Sequence, residues 1–150
     1  MLIKTIKLND YRNYSKKFVE LSENLNIITG NNGVGKTNLL ESIIVVSNSK
    51  SFRTLNDSDL IKKDAEFGKI EIMSDAGEFK VVINKKNKSM YINDVLKKRT
   101  SEYIGKLNAI LFKPGDLELF NQSPSERRRI LDIEISKTSK RYIQALLRYN

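Results

Sequence analysis

Gly30-Asn31-Asn32-Gly33-Val34-Gly35-Lys36-Thr37 spells G-x-x-x-x-G-K-[ST], and the reading of this octet decides the fold. Its glycines let main-chain N–H groups curl around an anion without Cβ clashes. In that reading Lys36 reaches the β- and γ-phosphates of a nucleotide, and the Thr37 hydroxyl ligates Mg²⁺. Residues 25–29, Leu-Asn-Ile-Ile-Thr, form a short β-rich run before it. Residues 38–46 follow it, with Leu39/Leu40 and Ile43/Ile44 recurring at helical spacing. Strand, glycine turn and helix are therefore predicted, with the positive end of the helix dipole turned to the phosphate. The competing reading is a Gly/Asn-rich turn that happens to precede a lysine. Both flanks argue for the phosphate loop.

The 150-residue chain suits one sizeable domain or a large part of a bigger protein. At 39% hydrophobic and 30% charged residues it has a globular composition. No apolar run approaches the ~20 residues of a membrane span, and the N-terminus carries no signal-peptide pattern. Without cysteine or histidine there are no disulfides, thiolate metal sites or imidazole chemistry. Catalysis would rest on phosphate electrostatics, carboxylates, lysine and hydroxyls. The balance of 27 basic to 18 acidic residues, +9, favours polyanion partners, nucleic acid first. A lysine-rich background composition is the alternative. Basic residues cluster at Lys85/Lys86/Lys88, at Lys97/Lys98/Arg99 and at Arg127/Arg128/Arg129.

Residues 2–8 alternate with period two and predict a half-buried strand, followed by a turn at Asn9-Asp10 and a second strand over 17–21. Residues 47–54 read as a surface loop and 57–61 as the start of a short helix. Residues 69–73 and 78–83 alternate around Asp75-Ala76-Gly77, a hairpin signal, and 89–92 add a third strand. This antiparallel meander differs from the parallel core that the phosphate-loop strand implies, so two sheets or a mixed one are expected. The apolar run 107–112 predicts a buried core strand, broken by Lys113-Pro114-Gly115-Asp116. Ser123-Pro124-Ser125-Glu126 is a helix start, with Ser123 as N-cap, Pro124 at the first position and Glu126 completing a capping box. A last helix from about Ser139 places Tyr142, Leu146 and Tyr149 on one stripe, beside Ile143 and Leu147.

A phosphate cradle does not hydrolyse a nucleotide alone. It needs an acid at the end of a second apolar strand to hold Mg²⁺ and position water. None stands here: Ile110-Leu111-Phe112 is followed by Lys113 and Pro114, with no carboxylate before Asp116. An arginine-rich kinase lid and an Asn-Lys-x-Asp guanine reader are missing too. The last helix runs to Asn150 without a glycine or proline stop, so the rest of the chemistry is expected beyond that residue.

Residues 8–14, 25–41, 50–54, 91–93 and 111–119 together resemble the start of the RecF family of recombination mediators. The strongest match after the octet is Ser123-Pro124-Ser125-Glu126-Arg127-Arg128-Arg129-Ile130-Leu131-Asp132, followed by Arg141-Tyr142 and Arg148-Tyr149-Asn150. The similarity runs through the whole chain and separates it from SMC and Rad50 relatives. It implies the N-terminal lobe of an ABC-type ATPase head over 1–122, mixing an α/β core with an antiparallel β subdomain, and the start of a helical arm over 123–150.

In that family ATP binding drives homodimerisation around the nucleotide, and the dimer holds DNA at gaps and single-strand/double-strand junctions. It works with RecO and RecR in recombinase loading, repair, replication and the SOS response. A cytoplasmic, nucleoid-associated bacterial protein, with no membrane partner, is implied. The family's weak DNA-dependent ATPase draws on a signature motif and a Walker B acid that this chain lacks. By the same resemblance residues 30–37 hold ATP and Thr37 the Mg²⁺. Arg12 and Asn13 match the place where relatives touch the base and ribose end. Asp116 is a weak candidate metal ligand, at a loop where ABC relatives offer glutamine. Arg53, Lys97, Lys98, Arg99, Arg127 and Arg128 are DNA-contact candidates, each with a solvated surface charge as its alternative. Consecutive helical residues point about 100° apart, so Arg127–Arg129 cannot make one contact together. The alternatives are a nucleotide- or anion-binding fragment without turnover, and another P-loop ATPase of the SMC/Rad50 group.

Overall fold

β1 (Ile3–Tyr11) is the second strand of a six-stranded sheet, whose order is β2-β1-β3-β4-β5-β6. The others are β2 (Tyr14–Glu20), β3 (Phe67–Ser74), β4 (Gly77–Asn84), β5 (Lys88–Ile92) and β6 (Val95–Lys97). The computed structural model describes residues 1–113 and 123–149. Every neighbouring pair is antiparallel, so among the described residues one all-antiparallel sheet stands where two sheets or a mixed one were expected. The period-two patterning explains which face is buried: Ile6 and Leu8 of β1, Ile70 and Ile72 of β3, and Phe79, Val81 and Ile83 of β4 all point inward.

That face is covered by α1 (Lys36–Asn48), which contributes Leu39, Val45 and Val46, together with Leu60, Tyr103 and Leu107. Tyr103 meets Phe79 edge-on, with ring centroids 6.2 Å apart. Residues 57–60 form a 3-10 turn, near the predicted short helix. α2 (Thr100–Tyr103) is a single turn. α3 (Pro124–Thr138) starts at the predicted proline, and the Arg127 N–H donates to the Ser123 carbonyl. In α4 (Lys140–Tyr149), Ile143 is buried and Tyr149 is exposed. Among the described residues no helix is long and apolar enough to cross a membrane.

Four further expectations are corrected. The first hairpin turns at Arg12-Asn13, because Tyr11 still pairs with Tyr14. Asp10 adopts a left-handed φ of 45° within β1 without ending it. Residues 25–29 form no strand: they pair with none of the six, and Leu25 is 75% exposed. Residues 107–112 form none either. Leu107 is buried, whereas Ile110 is 88% exposed. This segment runs beside α1, where the Ala109 N–H donates to Ser47 Oγ and the Ala109 carbonyl accepts from Lys137 Nζ. β propensity makes a strand only where a partner satisfies the ladder. Finally, the 47–54 loop is not a free surface loop, since Ser47, Ser49 and Ser51 are buried. Asp116 lies outside the described residues, as do the side chains of Glu126, Arg129 and Leu147.

Candidate nucleotide site

The octet forms an open turn that feeds directly into α1, whose first helical residue is Lys36. Gly30, Gly33 and Gly35 hold φ of 143°, 86° and 109°, the left-handed region that bends the main chain inward. Residues 31–34 and Thr37 are exposed. Lys36 Nζ folds back on its own loop, donating to the Gly30 carbonyl at 2.5 Å and the Asn31 carbonyl at 2.8 Å. A phosphate arriving there would replace those neutral acceptors with anionic oxygens, and charge-assisted bonds are the stronger.

Gly35 has a second constraint. A Cβ there would stand 2.7 Å from the Tyr14 hydroxyl and 2.8 Å from Asn13 Oδ1, so the β1–β2 turn rests against the loop. Gly35→Ala therefore combines backbone strain of about 1–3 kcal/mol with a steric clash. Melting should fall by about 2–4 °C per kcal/mol, and ATP affinity should drop with it. Unchanged melting and binding would show that this contact does not shape the loop.

The Arg12 turn is anchored from below. Arg12 has a φ of 53°, and its N–H donates to the Leu60 carbonyl. Its guanidinium donates from Nε to Glu41 Oε2 at 2.8 Å, from Nη2 to Glu41 Oε1 at 2.6 Å, and from Nη1 to the Asp59 carbonyl at 2.8 Å. Glu41 is 0% exposed and also accepts from Ser51 Oγ at 2.6 Å. Arg53 Nη1 lies 3.5 Å from Glu41 Oε2 and donates to Asn38 Oδ1. Asn38 Nδ2 donates to Asn13 Oδ1, and Asn13 Nδ2 to the Val34 carbonyl in the octet.

Burial pushes the Glu41 carboxyl up, but the bonds from Arg12 and Ser51 and the charges of Arg12 and Arg53 outweigh it and hold it below the usual carboxylate range. The Glu41 bond in turn raises the Arg12 guanidinium. Tyr11 is wholly buried beside them, with no hydrogen-bond partner for its hydroxyl among the described residues. Burial first, then the Glu41 charge, keeps that phenol protonated far above its ordinary range.

Two of the clefts that gather basic residues bear on these candidates. Arg12, Asn13, Asn38, Arg53, Asp59, Ile61, Lys62 and Lys63 line the first, beside the octet. Arg53 thus stands with Arg12 and Asn13. The second joins Lys98 and Arg99 to Thr100, Ser101, Gln144 and Arg148. Lys97 ends β6 half-buried, and Arg127 and Arg128 are exposed in the first turns of α3. Lys88 is not part of a free basic face, because its Nζ holds Asp57 at 2.7 Å.

Sequence reasoning missed Glu41, Ser51, Asn38 and Arg148. Glu41 did leave a signal: it is the one acid of α1, set in the run Leu-Leu-Glu-Ser-Ile-Ile-Val-Val, and a charge buried among apolar residues needs a partner. Among the described residues no group of three or more acidic side chains converges to hold a metal.

Residues 2–114 match the RecF/RecN/SMC N terminal domain. The DNA replication and repair protein RecF of Geobacillus sp. (strain WCH70) is 42% identical over 153 residues, covering 99% of this chain and 41% of that relative. The chain thus spans 41% of the length of the curated relatives it matches. A solved structure of the recombination mediator protein RecF-ATP in the RecFOR pathway superposes with a TM-score of 0.91 at 34% identity, over 99% of this chain and 42% of the other. A chain solved for ATP-driven dimerization and DNA-stimulated activation of SMC ATPases matches at a TM-score of 0.67 and 23% identity, over 88% of this chain and 98% of that one, and shows the fold alone. The architecture is the N-terminal lobe of an ABC-type P-loop ATPase head, with its antiparallel sheet.

Proposed function

Because the chain belongs to the RecF/RecN/SMC N-terminal domain family, we propose that it is the ATP-binding lobe of a RecF-type DNA replication and repair ATPase. One observation carries this reading: the open glycine turn at the N-terminus of α1, with Lys36 resting on two carbonyls that phosphate oxygens can replace. Main-chain N–H groups over 30–37 and the helix dipole receive the phosphates. Arg12 and Asn13 meet the base and ribose end. Thr37 presents an exposed hydroxyl in the first turn of α1, an oxygen that would suit Mg²⁺, which would supply positive charge against the phosphates when bound. Asp116 remains a weak second candidate ligand.

The basic excess is assigned to DNA. Lys98, Arg99 and Arg148 in one cleft, Lys97 beside them, and Arg127 and Arg128 on α3 offer phosphate contacts to single-stranded, gapped or junction DNA. Residues 1–122 form the lobe and 123–150 open a helical subdomain. RecO, RecR and an ATP-dependent homodimer are the proposed partners, in recombinase loading and the SOS response of a nucleoid-associated protein. A second reading is binding without turnover. It is favoured because 107–112 forms no strand and is followed by Lys113 rather than by an acid.

Titration with ATP and Mg²⁺, with and without DNA, tests both readings. Saturable binding without multiple turnover is expected, and DNA affinity should fall steeply with added salt, with little sequence preference. Failure to bind ATP sinks the assignment, steady turnover sinks the binding-only reading, and salt-insensitive DNA binding removes the basic clefts as its cause.

A further inference from the structure

We propose that Glu41 is a positioning residue for nucleotide recognition: its buried carboxylate holds Arg12 where it meets the base end and ties that contact to the Ser51–Arg53 loop. The inference rests on the nucleotide reading of the octet and goes beyond it. Glu41 is 0% exposed, so it touches no ligand, and whatever it does passes through its partners. Both of its oxygens are engaged by one planar fork, Nε and Nη2 of Arg12, while a third donor, Nη1, is held by the Asp59 carbonyl. A guanidinium has five N–H donors, so two remain to meet a ligand, in an orientation the other three have set.

The electrostatics require the carboxylate as well. Arg12, Arg53, Lys62 and Lys63 share one cleft, in which Asp59 is the only acid of the lining among the described residues. Without Glu41 beneath them, the two guanidiniums lose their shared counter-charge, and of these side-chain bonds Arg12 keeps only the one to the Asp59 carbonyl. The same carboxylate accepts from Ser51, and Arg53 continues through Asn38 and Asn13 to the Val34 carbonyl. Arg12 and the octet are therefore joined through Glu41 by a chain of side-chain contacts, in which the Glu41–Arg53 link is an ion pair at 3.5 Å.

Binding of ATP and of inorganic tripolyphosphate to the full chain separates this role from a general structural one. Tripolyphosphate reports the octet alone, and ATP adds the base end. In Glu41→Gln, which keeps the volume and loses the charge, ATP affinity should fall about tenfold or more while tripolyphosphate affinity changes less than about twofold. Arg12→Lys keeps the charge, sits at a partly exposed position and cannot make the fork, so it should show the same selective loss even if the glutamine variant folds poorly. The proposal is overturned if both ligands weaken together in Arg12→Lys, or if neither weakens in either variant. It is overturned alone, with the phosphate assignment intact, if the unaltered chain binds the two ligands equally. If the unaltered chain binds neither, the nucleotide reading itself fails.

Discussion

Lys36→Ala should leave the chain without measurable ATP binding while its melting temperature stays nearly unchanged. The ammonium is the one charged group of the octet, and the phosphates it meets carry the ligand's negative charge. Each hydrogen bond to a charged group contributes about 1.5–3 kcal/mol, so losing two of them weakens binding by two orders of magnitude or more. Stability is spared because the Nζ partners are two exposed loop carbonyls, and surface substitutions of this kind stay within about 0.5 kcal/mol. Calorimetric titration beside a thermal melt checks both halves. Retained ATP affinity would mean that the octet is a turn rather than a cradle.

Glu41→Ala should be the most destabilising exchange at the site. The partner it abandons, Arg12, is only 17% exposed, and removing one member of a buried pair costs about 3–5 kcal/mol. Against a total stability of about 5–15 kcal/mol that is a large share. Acid titrates the same interaction. The folded carboxyl is held below the usual range, so its contribution is complete above about pH 4.3 and is lost as pH falls through the lower folded value. Denaturant melts of wild type and Glu41→Ala should therefore lie far apart at pH 7 and draw together below about pH 4. A gap that persists undiminished at low pH would show that packing, not charge, makes the difference.

Legibility followed distance along the chain. Alternation over 69–83 was enough to place the β3–β4 hairpin, because its two strands pair across a two-residue turn. Ser123-Pro124 located the start of α3, since a helix start is a matter of a few adjacent residues. The runs 25–29 and 107–112 misled, because apolar composition records a preference for burial or pairing and says nothing about whether a partner lies alongside. β6 escaped notice for the opposite reason: three residues carry no periodicity, and pairing with β5 makes them a strand.

The sequence by itself determined the phosphate loop and the helix behind it, since eight consecutive residues and one helix start contain all the geometry an anion needs. Only the tertiary structure decided what surrounds that loop. Arg12 and Glu41 are 29 positions apart, and Glu41 and Ser51 come together through the bend after α1. A charge can be buried there only because the sheet, α1 and the 51–53 loop each deliver a partner to the same point. No local pattern encodes such a meeting, because its energy exists only once all three segments have arrived.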